Sequence, residues 1–257
     1  WSADMGRYMR ANGIPGIVSC QNKALDQPLA FDPGSQWYYG IGIDWAGKAV
    51  EAVSGLRLGE YMRRNLLEPL GMKDTSFKLT DAMRGRMSKV HARTPDGLVV
   101  TDTEVVQDPE FEMVGGGLYS TVGDYLKFAR MILRGGELDG TRVLRSETVA
   151  AMSRNAMGDL RCQTLRSASP GASNDVPFLE GMEWGLTWAI NPAALSTGRS
   201  AGSMAWAGLA NTYYWIDPVK QVAGVYATQI LPFFDMQAVA LLGAVESAAY
   251  DGLGMGA

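Results

Sequence analysis

Gly198-Arg199-Ser200-Ala201-Gly202 has the Gly-x-Ser-x-Gly spacing of a nucleophile elbow, in which a strained strand-to-helix turn presents a serine hydroxyl to a histidine. The order of residues argues against that chemistry. The elbow needs its histidine after the serine, whereas the single histidine, His91, precedes it. A strand-like Ser203-Met204-Ala205-Trp206-Ala207-Gly208-Leu209 also follows where a helix belongs, so Ser200 is expected in a small-residue turn. His91 lies in a polar Lys89–Thr94 stretch and reads as a solvated side chain. Carboxylates are plentiful, but no pair is singled out by its setting for glycosidase-type acid-base work. One histidine and two distant cysteines, Cys20 and Cys162, give no zinc-ligand spacing; the cysteines read as free thiols, and no metal or cofactor is expected. Gly115-Gly116-Gly117 lacks the Gly-Lys-Ser/Thr of a phosphate loop and reads as a sharp turn or a close backbone approach.

The elements that must hold these residues follow from punctuation and period. Ser2–Asn12 reads as a helix stopped by Gly-Ile-Pro-Gly. Ile43, Ala46, Val50 and Val53 recur at helical spacing, with Gly55 as cap. Leu58, Tyr61, Met62 and Leu66 start another helix, closed by Pro69 and Gly71. Pro95-Asp96-Gly97 marks the turn of a small hairpin. Thr121-x-x-Asp124 is a capping box opening a helix with Tyr125, Phe128, Ala129 and Ile132 on one face, ended by Gly135-Gly136. From Trp184 the period changes: Trp184, Leu186, Trp188 and Ile190 alternate as in a strand. Strands over Asn211–Pro218 and Gln221–Ile230 follow, joined by a turn at 218–221, and a helix over Gln237–Tyr250 offers Val239, Leu242 and Val245 for packing. Arg166–Pro177 reads as a loop. Helices, then consecutive antiparallel strands, then a helix make an α+β arrangement. Its two parts are a mainly helical 1–180 and a region 181–257 of strands and a terminal helix. With 257 residues, 47% hydrophobic and 19% charged, and a net charge of −4, the chain has an ordinary globular composition. It has no basic stripe for nucleic acid and no apolar run long enough to span a bilayer.

Four blocks, in order, resemble the serine β-lactamase and penicillin-binding-protein superfamily, with family VIII carboxylesterases as the nearest branch. Pro33-Gly34-Ser35-Gln36-Trp37-Tyr38-Tyr39 resembles the approach to the catalytic tyrosine, which falls on Tyr39; Ile41 stands where β-lactamases have the asparagine of Tyr-x-Asn. Leu66–Phe77 resembles the helix end and turn that follow. Val114–Leu133 resembles the Gly-Gly-Leu-x-Ser-Thr segment and its helix, with Tyr119 at the x position. Gly202–Pro218 resembles the strand of the third motif, Lys-Thr-Gly in β-lactamases and Trp-Gly-Gly or similar in the esterases; here it is Trp206-Ala207-Gly208. The resemblance implies a β-lactamase/transpeptidase-like fold with Tyr39 as the base and the Leu209 N–H as an oxyanion donor. Trp206, Ala207, Gly208 and Tyr119 would contact the substrate. A free tyrosine titrates near 10, so such a base needs a neighbouring cation, which the family supplies as a lysine.

The family's nucleophile stands in Ser-x-x-Lys, upstream of the tyrosine. No serine of this sequence has a lysine at the third position, and Thr75-x-x-Lys78 follows Tyr39 instead of preceding it. The chain is therefore expected to be the larger part of a fold whose N-terminal segment, carrying the nucleophile, is missing, and to be inactive and prone to associate by itself. The expected whole is a carboxylesterase of short-acyl esters working through an acyl-serine. The alternatives are a β-lactamase or D-Ala-D-Ala peptidase of the same fold, and a non-catalytic penicillin-binding-like module. Expected partners are small ester or β-lactam substrates, without nucleic acid or a membrane span, and a cytoplasmic location is favoured.

Overall fold

The protein is described by a computed structural model over residues 2–254. Helix α1 (Ala3–Ala11) starts where Ser2 Oγ accepts the Met5 N–H at 3.1 Å. Helix α2 (Gly42–Ser54) ends at Gly55, whose φ of 70° is the left-handed cap expected of glycine. The outer face of α2 departs from expectation. Val53 is 90% exposed and Ile43 is also exposed, whereas the buried positions are Asp44 and Gly47. Gly47 faces Val114, where an added Cβ would come within 2.4 Å of a methyl, so the helix packs on its small, polar side.

Helix α3 (Leu58–Met62) runs into a π-helical turn at Arg63–Leu67, and Gly71 then adopts φ 64°. Leu67, Leu70 and Met72 enter the core from this segment. Helix α4 (Asp81–Arg84) leads to the expected hairpin, β1 (His91–Thr94) and β2 (Gly97–Val100). Helix α5 (Val122–Leu133) is capped by Thr121 Oγ1, which accepts the Asp124 N–H at 3.1 Å. A hairpin of β3 (Glu137–Leu138) and β4 (Thr141–Arg142), then α6 (Ser146–Met152), had no counterpart in the sequence reading. Its turn is Asp139-Gly140, both with positive φ, the two-residue geometry that Asp-Gly favours.

The expected strand from Trp184 to Ile190 is instead a hairpin: β5 (Glu183–Trp184) and β6 (Ala189–Ile190) pair with each other. Gly185 sits against the Met152 carbonyl, where an added Cβ would lie 2.3 Å away, and Leu186 is exposed on the turn. The alternation of tryptophans thus spans a reversal. β7 (Met204–Gly208), β8 (Thr212–Asp217) and β9 (Val222–Ala227) complete an antiparallel sheet of order β5-β6-β7-β8-β9, with β9 an outer strand. β10 (Ile230–Leu231) runs parallel to β1 and joins the first hairpin.

Side-chain alternation gives the large sheet two covered faces. On one, Met204 and Ile216 pack with Ala129, Met131 and Ile132 of α5. On the other, Ala207, Tyr213 and Tyr226 pack with Val239 and Leu242 of α7 (Met236–Gly252). Val245, expected to pack, is exposed; the inward positions of α7 are Ala238, Glu246 and Tyr250. The end of α7 is fastened by polar contacts, since Tyr250 Oη donates to Asp217 at 3.1 Å and Glu246 pairs with Arg199 at 2.9 Å. No helix among the described residues is long and apolar enough to cross a membrane.

Candidate active site

The tyrosine singled out by its motif lies in an extended segment launched by a turn. Ser35 N–H bonds the Asp32 carbonyl at 3.1 Å, and Gly34 takes φ 83°, a conformation that costs glycine little. Beyond the turn, Trp37 and Tyr39 point inward while Tyr38 is exposed. Tyr39 packs against Trp206 of β7, ring centroids 5.1 Å apart, and edge-on to Trp184 of β5 at 6.2 Å. Trp184 also meets Trp206 at 4.7 Å and Trp37 at 5.5 Å. Within this aromatic nest the Trp206 indole N–H donates to Tyr39 Oη at 3.1 Å, joining residues 167 positions apart. Burial raises the Tyr39 pKa above its ordinary value; the Trp206 bond opposes this, and the negative charge of Asp44 adds to it.

Asp44, which the sequence reading passed over, is the buried acid of the site. It projects from the first turn of α2 and its carboxylate accepts the Gly115 N–H at 3.0 Å. Burial raises its pKa, and the Gly115 and Val114 N–H groups partly offset that. The Gly115–Gly117 segment is the close backbone approach its composition implied. Gly117 N–H bonds the Met113 carbonyl at 2.8 Å, and an added Cβ at Gly117 would stand 2.7 Å from that oxygen.

Leu209 follows the last paired residue of β7, Gly208, in the turn to β8. No acceptor of the chain faces its N–H among the described residues. Gly208 is exposed, and an added Cβ there would meet Thr212 only at 3.6 Å, so that side of the strand end is open. The turn is held from behind by Asn211, fully buried at φ 57°. Its amide donates to the carbonyls of Ile230 at 2.8 Å and Pro232 at 2.9 Å, and its Oδ1 accepts Tyr213 Oη at 2.8 Å and the Asp235 N–H at 3.0 Å. Ala210 is tied as well, its carbonyl accepting the Ile230 N–H at 3.2 Å and Thr228 Oγ1 at 2.8 Å. Asn211 was also unanticipated; the signal was an asparagine between two strands, the residue that tolerates a left-handed turn.

The structure therefore brings Tyr39 and Trp206 into contact, with Ala207, Gly208 and Leu209 continuing along the same strand end. Tyr119 has other partners: its hydroxyl accepts the Val105 N–H at 2.8 Å, and its backbone bridges to Ser76. Thr75 is buried with its hydroxyl on Ser120 and Asp124, and Lys78 extends to Asp108. Ser200 lies in the turn before β7, its N–H on Asp217 at 2.8 Å, while His91 Nδ1 contacts the Lys89 carbonyl. Cys20 and Cys162 are buried free thiols. Among the described residues no group of three or more His, Cys, Asp or Glu side chains is placed to hold a metal.

The family described as Beta-lactamase matches residues 21–246. Monacolin J acid methylbutanoyltransferase of Aspergillus terreus is 31% identical over 223 residues, covering 82% of this chain and 53% of that protein. Lovastatin esterase of Penicillium rubens is 28% identical over 219 residues, covering 80% and 53% respectively. Among solved structures, the LovD6 mutant of simvastatin synthase from Aspergillus terreus superposes with a TM-score of 0.79 at 30% identity, covering 97% of this chain and 63% of that one. The chain spans about half the length of the curated relatives it matches.

Proposed function

The chain belongs to the β-lactamase family and has its fold, and on that premise we propose that it carries the tyrosine and oxyanion sides of a serine esterase site acting on short-acyl esters. The observation that carries this reading is the Trp206-to-Tyr39 hydrogen bond, which unites the two motifs at one strand end. In the proposed reaction, a serine oxygen bonds to the ester carbonyl carbon and its proton passes to the Tyr39 oxygen. The carbonyl oxygen, now negative, is held by the Leu209 N–H and by the nucleophile's own N–H. The carbon–oxygen bond to the alcohol then breaks, and the departing oxygen takes the proton back from Tyr39. Water repeats the sequence on the acyl-serine and releases the acid.

The serine and its lysine are assigned to a Ser-x-x-Lys segment outside these 257 residues, because none occurs within them. The electrostatics of Tyr39 support the need for that lysine. Burial and Asp44 both disfavour the phenolate, and only the Trp206 bond favours it. A neighbouring ammonium would supply the missing attraction. Transfer of the acyl group to an alcohol instead of water is a second reading, favoured by the methylbutanoyltransferase among the relatives. Ile41, in place of the Tyr-x-Asn asparagine, favours esters over β-lactams.

The test is Tyr39→Phe in the full-length protein, assayed with a chromogenic butyrate ester. Turnover should fall by about a hundredfold or more, the scale of losing a general base. Turnover close to wild type would refute the assignment.

A further inference from the structure

Tyr39 is held from two sides. On the sheet side it has the Trp206 bond at 3.1 Å and the rings of Trp206 and Trp184. On the helical side it runs through Gly40 and Ile41 into α2, whose first residue is Gly42. Both glycines have open space where a side chain would stand, so Ile41 alone packs this link, against Cys20, Leu25, Phe111 and Met113. The polar fastening comes from Asp44, which is 3% exposed. Its Oδ1 accepts the Gly115 N–H at 3.0 Å, joining residues 71 positions apart, and the Val114 N–H also bonds the carboxylate. Its own N–H donates to the Ile41 carbonyl at 3.0 Å, which ties the link to the helix. Among the described residues no Lys, Arg or His pairs with Asp44. A buried carboxylate without a cation is costly to keep, and this one is held by backbone N–H groups.

We propose that Asp44 is a positioning residue for Tyr39: its carboxylate pins the Val114–Gly115 turn to the first turn of α2, so that Gly40 and Ile41 deliver the tyrosine to Trp206 from a fixed base, and its negative charge bears on the phenol. The inference rests on the reading of Tyr39 as the group that exchanges protons. The packing of α2 explains why an acid is needed. Gly47 lets the helix approach Val114 closely, which turns the N–H groups of residues 114 and 115 toward the helix and away from water. A buried N–H needs an acceptor, and one carboxylate serves both, where an apolar side chain would serve neither. The charge has a second effect. Asp44 disfavours the phenolate whereas the Trp206 N–H favours it, so the two groups that hold Tyr39 act on its proton in opposite directions. The titratable groups whose charges couple to Tyr39 are Asp44 and Tyr214 of β8, and Cys20 is a further group that feels Asp44.

Two variants of the full-length protein test this. Asp44→Asn keeps an acceptor for the Gly115 N–H and removes the charge, whereas Asp44→Ala removes both. With a chromogenic butyrate ester, Asp44→Ala should lose about tenfold or more in kcat with KM little changed, the scale of a lost hydrogen bond to a charged group. Asp44→Asn should keep most of kcat. Its limb of kcat/KM that rises with pH should move to lower pH, because the charge that disfavours the phenolate is gone. Equal losses in the two variants at every pH, as a merely structural contact would give, overturn the proposal. Amide hydrogen exchange followed by mass spectrometry reads the fastening without turnover. In Asp44→Ala, exchange over residues 36–43 and 113–117 should quicken together by about tenfold or more, and in Asp44→Asn both should stay near wild type. Faster exchange confined to 113–117, or no change in either stretch, also overturns it. Should Asp44→Ala not fold, an unmoved pH limb in Asp44→Asn overturns the proposal by itself. Wild-type turnover in Tyr39→Phe, by contrast, would remove the catalytic premise, while exchange still reads what Asp44 holds.

Discussion

Replacing Trp206 with phenylalanine separates a positioning role from mere packing. The substitution keeps a ring against Tyr39 and Trp184 and removes the N–H that bonds Tyr39 Oη at 3.1 Å. A hydrogen bond to a charged acceptor contributes about 1.5–3 kcal/mol. With tenfold per 1.36 kcal/mol, that is roughly a ten- to 150-fold loss in kcat/KM where the phenolate is required. The sign follows from the direction of the shift: the Trp206 bond lowers the Tyr39 pKa, so its removal raises it. In the full-length protein, the limb of kcat/KM that rises with pH should move to higher pH. The deficit should be largest on that limb and close above it. In a Tyr39→Phe background the Trp206 change should cost little further, because the two residues act as a pair. A deficit equal at every pH, or full additivity of the two changes, would show that Trp206 only fills space.

Two further outcomes are expected. Asp217 is fully buried; burial raises its pKa, but the Lys220 and Ser200 N–H groups and the Ser200 and Tyr250 hydroxyls outweigh this and hold it below the usual carboxylate range. A depressed folded pKa gives stability that is present above the unfolded value, about 3.9, and lost as pH falls through the folded value. Asp217→Asn should therefore cost about 1–3 kcal/mol in urea unfolding at pH 7, with the difference from wild type narrowing as the acid range is entered; a constant difference would refute the linkage. Ser200→Ala should leave ester turnover at the wild-type level, since the Ser200 hydroxyl serves Asp217, and a serine-directed phosphonate found on Ser200 by mass spectrometry would place the nucleophile there instead.

What could be read from the sequence was what local chemistry decides. The Thr121 cap, the Gly55 terminator and the Pro95-Asp96 hairpin turn each depend on a few neighbouring residues, and each lies where its residues place it. The period of α2 was legible but its orientation was not, because the inward face is set by the approach of Gly47 to Val114, a contact across the chain. The tryptophan alternation from 184 to 190 mimicked one strand, and the reversal at Gly185 depends on the distant Met152 carbonyl. β3 and β4 have two residues each, too few to show any period. Tyr39 and the Trp206–Leu209 stretch were singled out through ordered blocks of resemblance, and a hydrogen bond links Tyr39 to Trp206. Asp44 and Asn211 were invisible because each is a single polar residue whose importance comes from burial, and Trp184 was legible only as strand filling.

Asn211 has a consequence for how this surface could change over time. One carboxamide fixes the turn carrying Leu209, the approach to α7 at Asp235 and the chain at 230–232. A substitution that reshapes the turn would therefore loosen the mooring of the terminal helix as well, and each would have to be repaired together. The β5–β6 corner is tied only through its backbone, the Leu186 N–H bonding the Met152 carbonyl at 3.2 Å while the Leu186 side chain is exposed. Drift should accordingly accumulate at exposed positions such as Leu186, while the β7–β8 corner stays fixed as its surroundings change.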